Sequence, residues 1–295
     1  MSNTTKEVTE CFFKLVQRIP FNIAPEKAKK LEVEVFDIRK WKISSSESEA
    51  NFYAIPEDAT IILSYSGLAS LWCLAYAGFH IMDSASRLQR EKKDVDQKNI
   101  NIGEEYSQLC LDEYLAYSRL LCRQNSPWPS SLSKPICSPK ANSSDDRVNN
   151  IFFGALSWIM LHEIAHVHHH HEKNIPKEQK ISQEYVADNF ATSWILEKAG
   201  RGRKREFRIL MISVALLWLF MKEELTGRGP THPATIYRFR EASRQFKMGN
   251  RSVGLENAAY LFQCILVPST NPPEFDTSVE LFDWVCTLLE EKYAV

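Results

Sequence analysis

The sequence lacks a charge imbalance: 36 Lys+Arg stand against 37 Asp+Glu, a formal charge of -1 over 295 residues. Without a basic surplus there is no general reason to expect nucleic acid or an anionic membrane as partner. It also lacks paired cysteines. Seven are present (Cys11, Cys73, Cys110, Cys122, Cys137, Cys264 and Cys286), an odd number without a single C-x-x-C. Cys73 in SLWCLAY and Cys264 in YLFQCILV sit in apolar runs, where a thiol behaves as a small hydrophobe. A disulfide scaffold is thereby excluded, and a reducing cytoplasm is the expected location. The opening MSNTTKEVTECFFKLVQRIPF has neither the cationic segment nor the apolar run of a signal peptide.

A clean membrane span is missing too. Ala59 to Met82 runs 24 residues without Asp, Glu, Lys or Arg, but Thr60, Ser64, Ser66, Gly67, Ser70 and His80 interrupt it. Its first part, TIILSY, reads as a strand. Ile209 to Met221 is 13 residues and suits a buried helix. Peripheral membrane association stays open, and nothing fixes the oligomeric state. Composition excludes collagen-like and disordered chains, and the length permits a sizeable core.

What is present is organised in two halves. Residues 6–17 predict a short helix ended by Pro20. LEVEVFDI from Leu31 alternates, and FYAI and TIILSY follow turn-rich stretches, so three or four strands between 31 and 65 predict a small antiparallel sheet. From Ser66 the pattern is helical, with helices over 67–91 and 104–122. Residues 123–150 carry Pro127, Pro129, Pro135, Pro139 and seven serines; an irregular connection there predicts a cover over the active site. Helices follow at 149–170, 181–199, 206–224, 233–246, 254–266 and 277–291. RGRKREFR at 201–208 reads as a solvated helix start. The expected fold is α+β and predominantly helical. It forms one unit over 1–295: a helix plus small sheet (1–65), a helical part (66–122), the irregular connection (123–150) and a helical catalytic core (151–295).

Histidine is the uneven residue. Six of the eight lie between His162 and His171, leaving His80 and His232 apart. IFFGALSWIMLHEIAHVHHHHEK contains His162-Glu163-Ile164-Ala165-His166. Residues four apart share a helix face, so both imidazoles can reach one metal ion. Glu163 beside the first ligand can take a proton from water. Two neutral nitrogens, an open coordination position and a carboxylate are what a zinc hydrolase needs. By helical geometry His169 and His170 fall near His166, yet an open site needs only three protein ligands, and His168 to His171 receive no role.

A third ligand must come from elsewhere. Glu184 and Asp188 are four apart in a second helix, with 17 residues between His166 and Glu184. Glu184 can ligate zinc while Asp188 holds a ligand histidine. Glu172 and Glu178 are rivals in or beside the connecting loop. Thr231-His232-Pro233 follows LTGRGP; Thr231 can cap and Pro233 suits a first turn. His232 could then stabilise an oxyanion, and Arg238 could pair with the carboxylate behind the ligands. The expected chemistry is hydrolysis of a peptide bond around one Zn2+ ion. His162, His166 and Glu184 hold the metal, Glu163 and His232 act on the reacting groups, and Asp188 and Arg238 support them.

H-E-x-x-H, E-x-x-A-D in the following helix and T-H-P-x-x-x-x-R together resemble the gluzincin metallopeptidases, the T-H-P signature being most like the group that contains HtpX. The interval from His166 to Glu184 is shorter than is usual there. A wider likeness runs along the chain: FNIAPEK (21–27), SPWPSSLSKPICSPK (126–140), ATSWIL (191–196) and THPATIYR (231–238) resemble the Lit family of bacterial phage-exclusion zinc metallopeptidases (peptidase U49-like). That resemblance implies an endopeptidase that cleaves translation elongation factor Tu when a phage capsid peptide bound to the factor signals infection, halting protein synthesis. It implies His162 and His166 as ligands and Glu163 as the catalytic carboxylate. The histidine block 168–171 departs from the family pattern. Two alternatives are a zinc protease or toxin with another protein substrate, and a non-catalytic metal-binding scaffold. The intact Glu163 argues against the second.

Overall fold

The computed structural model describes residues 3–37, 39–91, 102–172, 174–229 and 231–294. Three short helices open the chain: α1 (Thr5–Phe13), α2 (Ile19–Ile23) and α3 (Ala28–Lys30). Thr4 and Glu7 cap α1 reciprocally, satisfying two backbone donors that a helix start leaves free. Pro20 does not end this segment but sits in the first turn of α2, where its missing N–H costs nothing.

The alternation in LEVEVFDI predicted a strand, and the structure corrects it. Leu31–Val35 forms a wide helical turn closed by the Phe36 N–H on the Leu31 carbonyl at 2.7 Å. Leu31 and Phe36 are buried while Val33 is 71% exposed, which a half-buried strand would not allow. The strands are instead β1 (Lys42–Ser46), β2 (Phe52–Ile55) and β3 (Thr60–Ser64). Their order is β1-β3-β2, with β1 parallel and β2 antiparallel to β3, so the expected antiparallel sheet is mixed. The serine-rich KISSS of β1 has little apolar patterning to announce it. β3 is the buried centre and β2 an edge.

The helical part comprises α4 (Tyr65–Glu91), α5 (Gly103–Gln108), α6 (Leu111–Arg123), α7 (Ser144–His168), α8 (Lys177–Leu196), α9 (Arg203–Thr226), α10 (Thr235–Ser243), α11 (Val253–Leu266) and α12 (Ser278–Tyr293). The single helix expected over 104–122 is divided by Cys110, whose φ of 54° is left-handed. Part of the charged stretch after Arg87, residues 92–99, lies outside the described residues. α7 is the axis, buried along most of its length from Val148 to Val167 and packed against α4, α8, α9 and β2. A helix apolar on every side belongs at a core. Gly154 lets α9 approach closely, since a methyl there would run into Met211. Among the described residues no helix is long and apolar enough to cross a membrane.

Three further expectations are corrected. The connection 123–150 is irregular only to Ser143, which caps α7. It packs beside α1 and α6 rather than over the histidines: Trp128 and Leu132 are buried, and Tyr117 and Tyr114 donate to the Ser126 and Ser133 carbonyls. Cys11 and Cys137 form a disulfide that ties this connection to α1, so not every thiol is free; a separation of 126 residues hides the pair from spacing rules. The basic run 201–208 is not simply solvated. Buried Arg208 forks onto Glu26 at 2.7 and 3.0 Å, and Arg205 donates to the carbonyls of Leu196, Gln245 and Phe246.

Candidate metal centre

α7 delivers His162, Glu163 and His166 from the core towards a cleft, and α8 crosses it with Glu184 and Asp188. The buried face of α8 reads Glu184, Ala187, Asp188, Ala191, Thr192, Ile195. That is a helical stripe whose first positions are acidic where apolar residues would be expected. Charges in such places need partners, and α7 provides them. Trp158 fixes the crossing by donating its indole N–H to Thr192 Oγ1 at 3.0 Å, and its ring lies 5.8 Å from that of His162.

The donor atoms converge. His162 Nε2 and His166 Nε2 are 3.1 Å apart. Glu184 Oε1 is 3.4 Å from His166 Nε2, and Glu184 Oε2 is 3.5 Å from His162 Nε2. His162, His166 and Glu184 form a group able to hold one metal ion. A tetrahedral ion with nitrogen and oxygen donors at about 2.0–2.2 Å spaces them roughly 3.3–3.6 Å apart, close to what the side chains adopt. Glu184 Oε2 is also buried without a hydrogen-bond partner. An orphaned carboxylate oxygen facing two imidazole nitrogens is costly as it stands and suits a cation. The donor set therefore fits a single divalent ion. Exposed Glu178 and cleft-lining Glu172 lie outside this group.

Behind the donors sits a buried charge pair. Arg238 donates two parallel hydrogen bonds to Asp188, Nε to Oδ2 and Nη2 to Oδ1, both at 2.7 Å. Asp188 Oδ1 is in turn 2.9 Å from His162 Nδ1. Asp188 is 3% and Arg238 5% exposed, so each neutralises the other where water cannot. Arg238 arrives on α10. The start of that helix is capped not by Thr231 but by Glu223 of α9, which accepts from the Thr235 N–H and hydroxyl at 2.7 and 2.6 Å. His232 lies just before α10, its Nε2 3.5 Å from Glu184 Oε1, with Thr231 Oγ1 3.2 Å from its Nδ1.

The titrating groups differ sharply. Burial presses the His162 imidazolium down, but the carboxylates of Asp188 and Glu184 beside it outweigh that and lift its pKa to about 10. Burial and the neighbouring His162 push His166 down to about 3. Burial raises Glu163 to about 7 against the pull of His162. Burial acts upward on Glu184 as well, but His162, Arg238 and His232 hold it below the usual carboxylate range. Partial burial lowers His232.

Two openings flank the donors. A cleft of 290 Å³ is lined by Phe52 to Ala54 of β2, His162, Glu163, His166, His171, Glu184 and His232. A larger cavity of 490 Å³ adjoins it, lined by Trp158, Trp218, Lys222 and His232 among others. All seven residues singled out in the sequence thus meet in one place. Residues 61–258 match the Peptidase U49 family. The chain belongs to that family. It is also similar to a "Cell death peptidase" of Escherichia coli (strain K12), 25% identical over 252 residues covering 82% of each chain. No solved structure matches. Family and donor cluster together make this Peptidase U49 member a metal-dependent peptidase. Sequence reasoning found FYAI as a strand but missed that it borders the cleft, and it missed Trp218, Lys222 and the placement of His171, because each reaches the site through tertiary packing or a helix end rather than through a motif.

Proposed function

We propose that the protein is a zinc endopeptidase of the bacterial cytoplasm that cuts a cellular protein, translation elongation factor Tu, as part of phage exclusion. The observation that carries the peptidase chemistry is the juxtaposition of Glu163 with the His162, His166 and Glu184 donors, its Oε1 4.0 Å from His162 Nε2. The choice of substrate rests on the resemblance to the Lit family and on likeness to a relative described as a cell death peptidase.

His162, His166 and Glu184 would hold the ion, which supplies Lewis-acid polarisation of water and of the scissile carbonyl when bound. Glu163, buried and drawn towards neutral pKa, accepts the proton of the attacking water and passes it to the leaving amine. His232, at the rim of both openings, donates to the developing oxyanion. Asp188 accepts from His162 Nδ1 and, clamped by Arg238, keeps that ring oriented. Among the described residues β2 pairs with β3 alone and borders the cleft, so an extended substrate segment can lie along its edge.

The test is cleavage of elongation factor Tu, with and without a phage capsid peptide, in a panel of translation factors resolved by mass spectrometry. The expected result is one new cut in elongation factor Tu, stimulated by the peptide and abolished by a zinc chelator. An intact factor in every nucleotide and peptide state would reject this substrate while leaving the hydrolytic site to be tried on other proteins.

A further inference from the structure

The histidine block at the end of α7 has no part in the chemistry so far, yet the way the helix stops sorts its four rings. His170 adopts φ 52°, in the left-handed region. Its N–H reaches the Val167 carbonyl at 3.1 Å, and the His171 N–H returns to the His166 carbonyl at 2.9 Å. These two bonds make a Schellman motif, in which the residue after the left-handed one folds back against the side chain five positions earlier. That contact is usually apolar. Here it joins two imidazoles: His171 Nδ1 is 2.8 Å from His166 Nδ1, with ring centroids 4.9 Å apart and planes at 78°. His168 leans instead on Phe190 at 6.1 Å, His169 lies between Phe190 at 5.8 Å and the His171 ring, on which it stacks at 5.6 Å, and His170 is exposed.

We propose that His171 is a positioning residue for His166, accepting its Nδ1–H and so holding its Nε2 towards His162 and Glu184. This rests on the reading of His166 as a metal ligand. A neutral imidazole has one N–H and one lone pair. For His166 to present the Nε2 lone pair, its proton must sit on Nδ1 and needs an acceptor there. His162 has Asp188 in that place, at 2.9 Å. On His166 the corresponding position is taken by His171, itself neutral with its proton on Nε2. The six residues from His166 to His171 thus contain both a ligand and its orienting group, set by one helix terminus.

The experiment measures the zinc dissociation constant of the full chain by competition with a chromogenic chelator, with thermal melting of the metal-free protein as a check on folding. His171→Ala is expected to weaken zinc binding 10- to 100-fold, the usual effect of removing an orienting partner, while its metal-free melting temperature stays near wild type. His171→Asn, whose amide oxygen can accept the same N–H, should recover most of that loss, and His168→Ala should show none. His171→Ala binding zinc as wild type, or His171→Asn binding as weakly as His171→Ala, overturns the proposal. His162→Ala separates the two levels: wild-type affinity there would remove the metal-site reading itself, whereas a large loss in His162→Ala beside none in His171→Ala removes only the role of His171.

Discussion

The two imidazoles of the motif stand one helical turn apart and are held in opposite ways. His162 is 6% exposed and backed by a carboxylate that is itself gripped by a buried guanidinium. His166 lies nearer the end of α7 and is backed by a neutral ring from the helix terminus. The first arrangement is costly to desolvate and costly to break; the second is inexpensive and local. One side of the centre is therefore welded into the core and the other is built from the last turn of a helix, where a substrate cleft can open beside it.

The comparison breaks most sharply at Asp188. Asp188→Ala leaves Arg238 buried without its bidentate partner, and removing one member of such a pair costs about 3–5 kcal/mol. Urea unfolding of the metal-free protein should show a loss of that size. A loss below about 1 kcal/mol would mean that the pair is not held apart from water as its burial implies.

A smaller effect compares two buried carboxylates a few ångströms from the same ring. Asp188 is paired with a guanidinium; Glu163 is 7% exposed and has no such partner, so its pKa rises to about 7. The sign follows from linkage. The unfolded carboxyl ionises near its ordinary value while the folded one resists, so Glu163 destabilises the metal-free fold as pH rises from the unfolded value through 7. Glu163→Gln should therefore melt higher than wild type, with a larger gain at pH 8 than at pH 5. An equal gain at both, or a loss at pH 8, would contradict the unpaired burial.

Much of this centre was legible in the chain because helical spacing converts sequence into faces. His162 with His166, and Glu184 with Asp188, meet for that reason alone, and the acidic start of an otherwise buried stripe on α8 marks where partners are required. The helical half was legible for the same reason. The N-terminal half was less so. LEVEVFDI alternates like a strand, but the five-residue reach from Leu31 to Phe36 buries it as a helical turn, and KISSS becomes a strand only because β3 lies beside it. The proline- and serine-rich connection suggested a cover; Trp128, Leu132 and the bond from Cys137 to Cys11 draw it against α1 and α6 instead. Composition indicates that a segment is irregular, not which surface it will find. The role of His171 was hidden for a related reason, since it depends on a left-handed residue that is not glycine.

The central claim is that Glu163 is the proton-transferring carboxylate beside a metal held by other residues. It is tested most directly by measuring bound zinc and turnover together in Glu163→Gln. Glutamine keeps the shape but cannot take the proton of the attacking water, so zinc should remain at one equivalent while cleavage of the protein substrate falls by about 10²–10⁴-fold, the range for losing a general base. Wild-type cleavage by that variant with zinc bound would contradict the account.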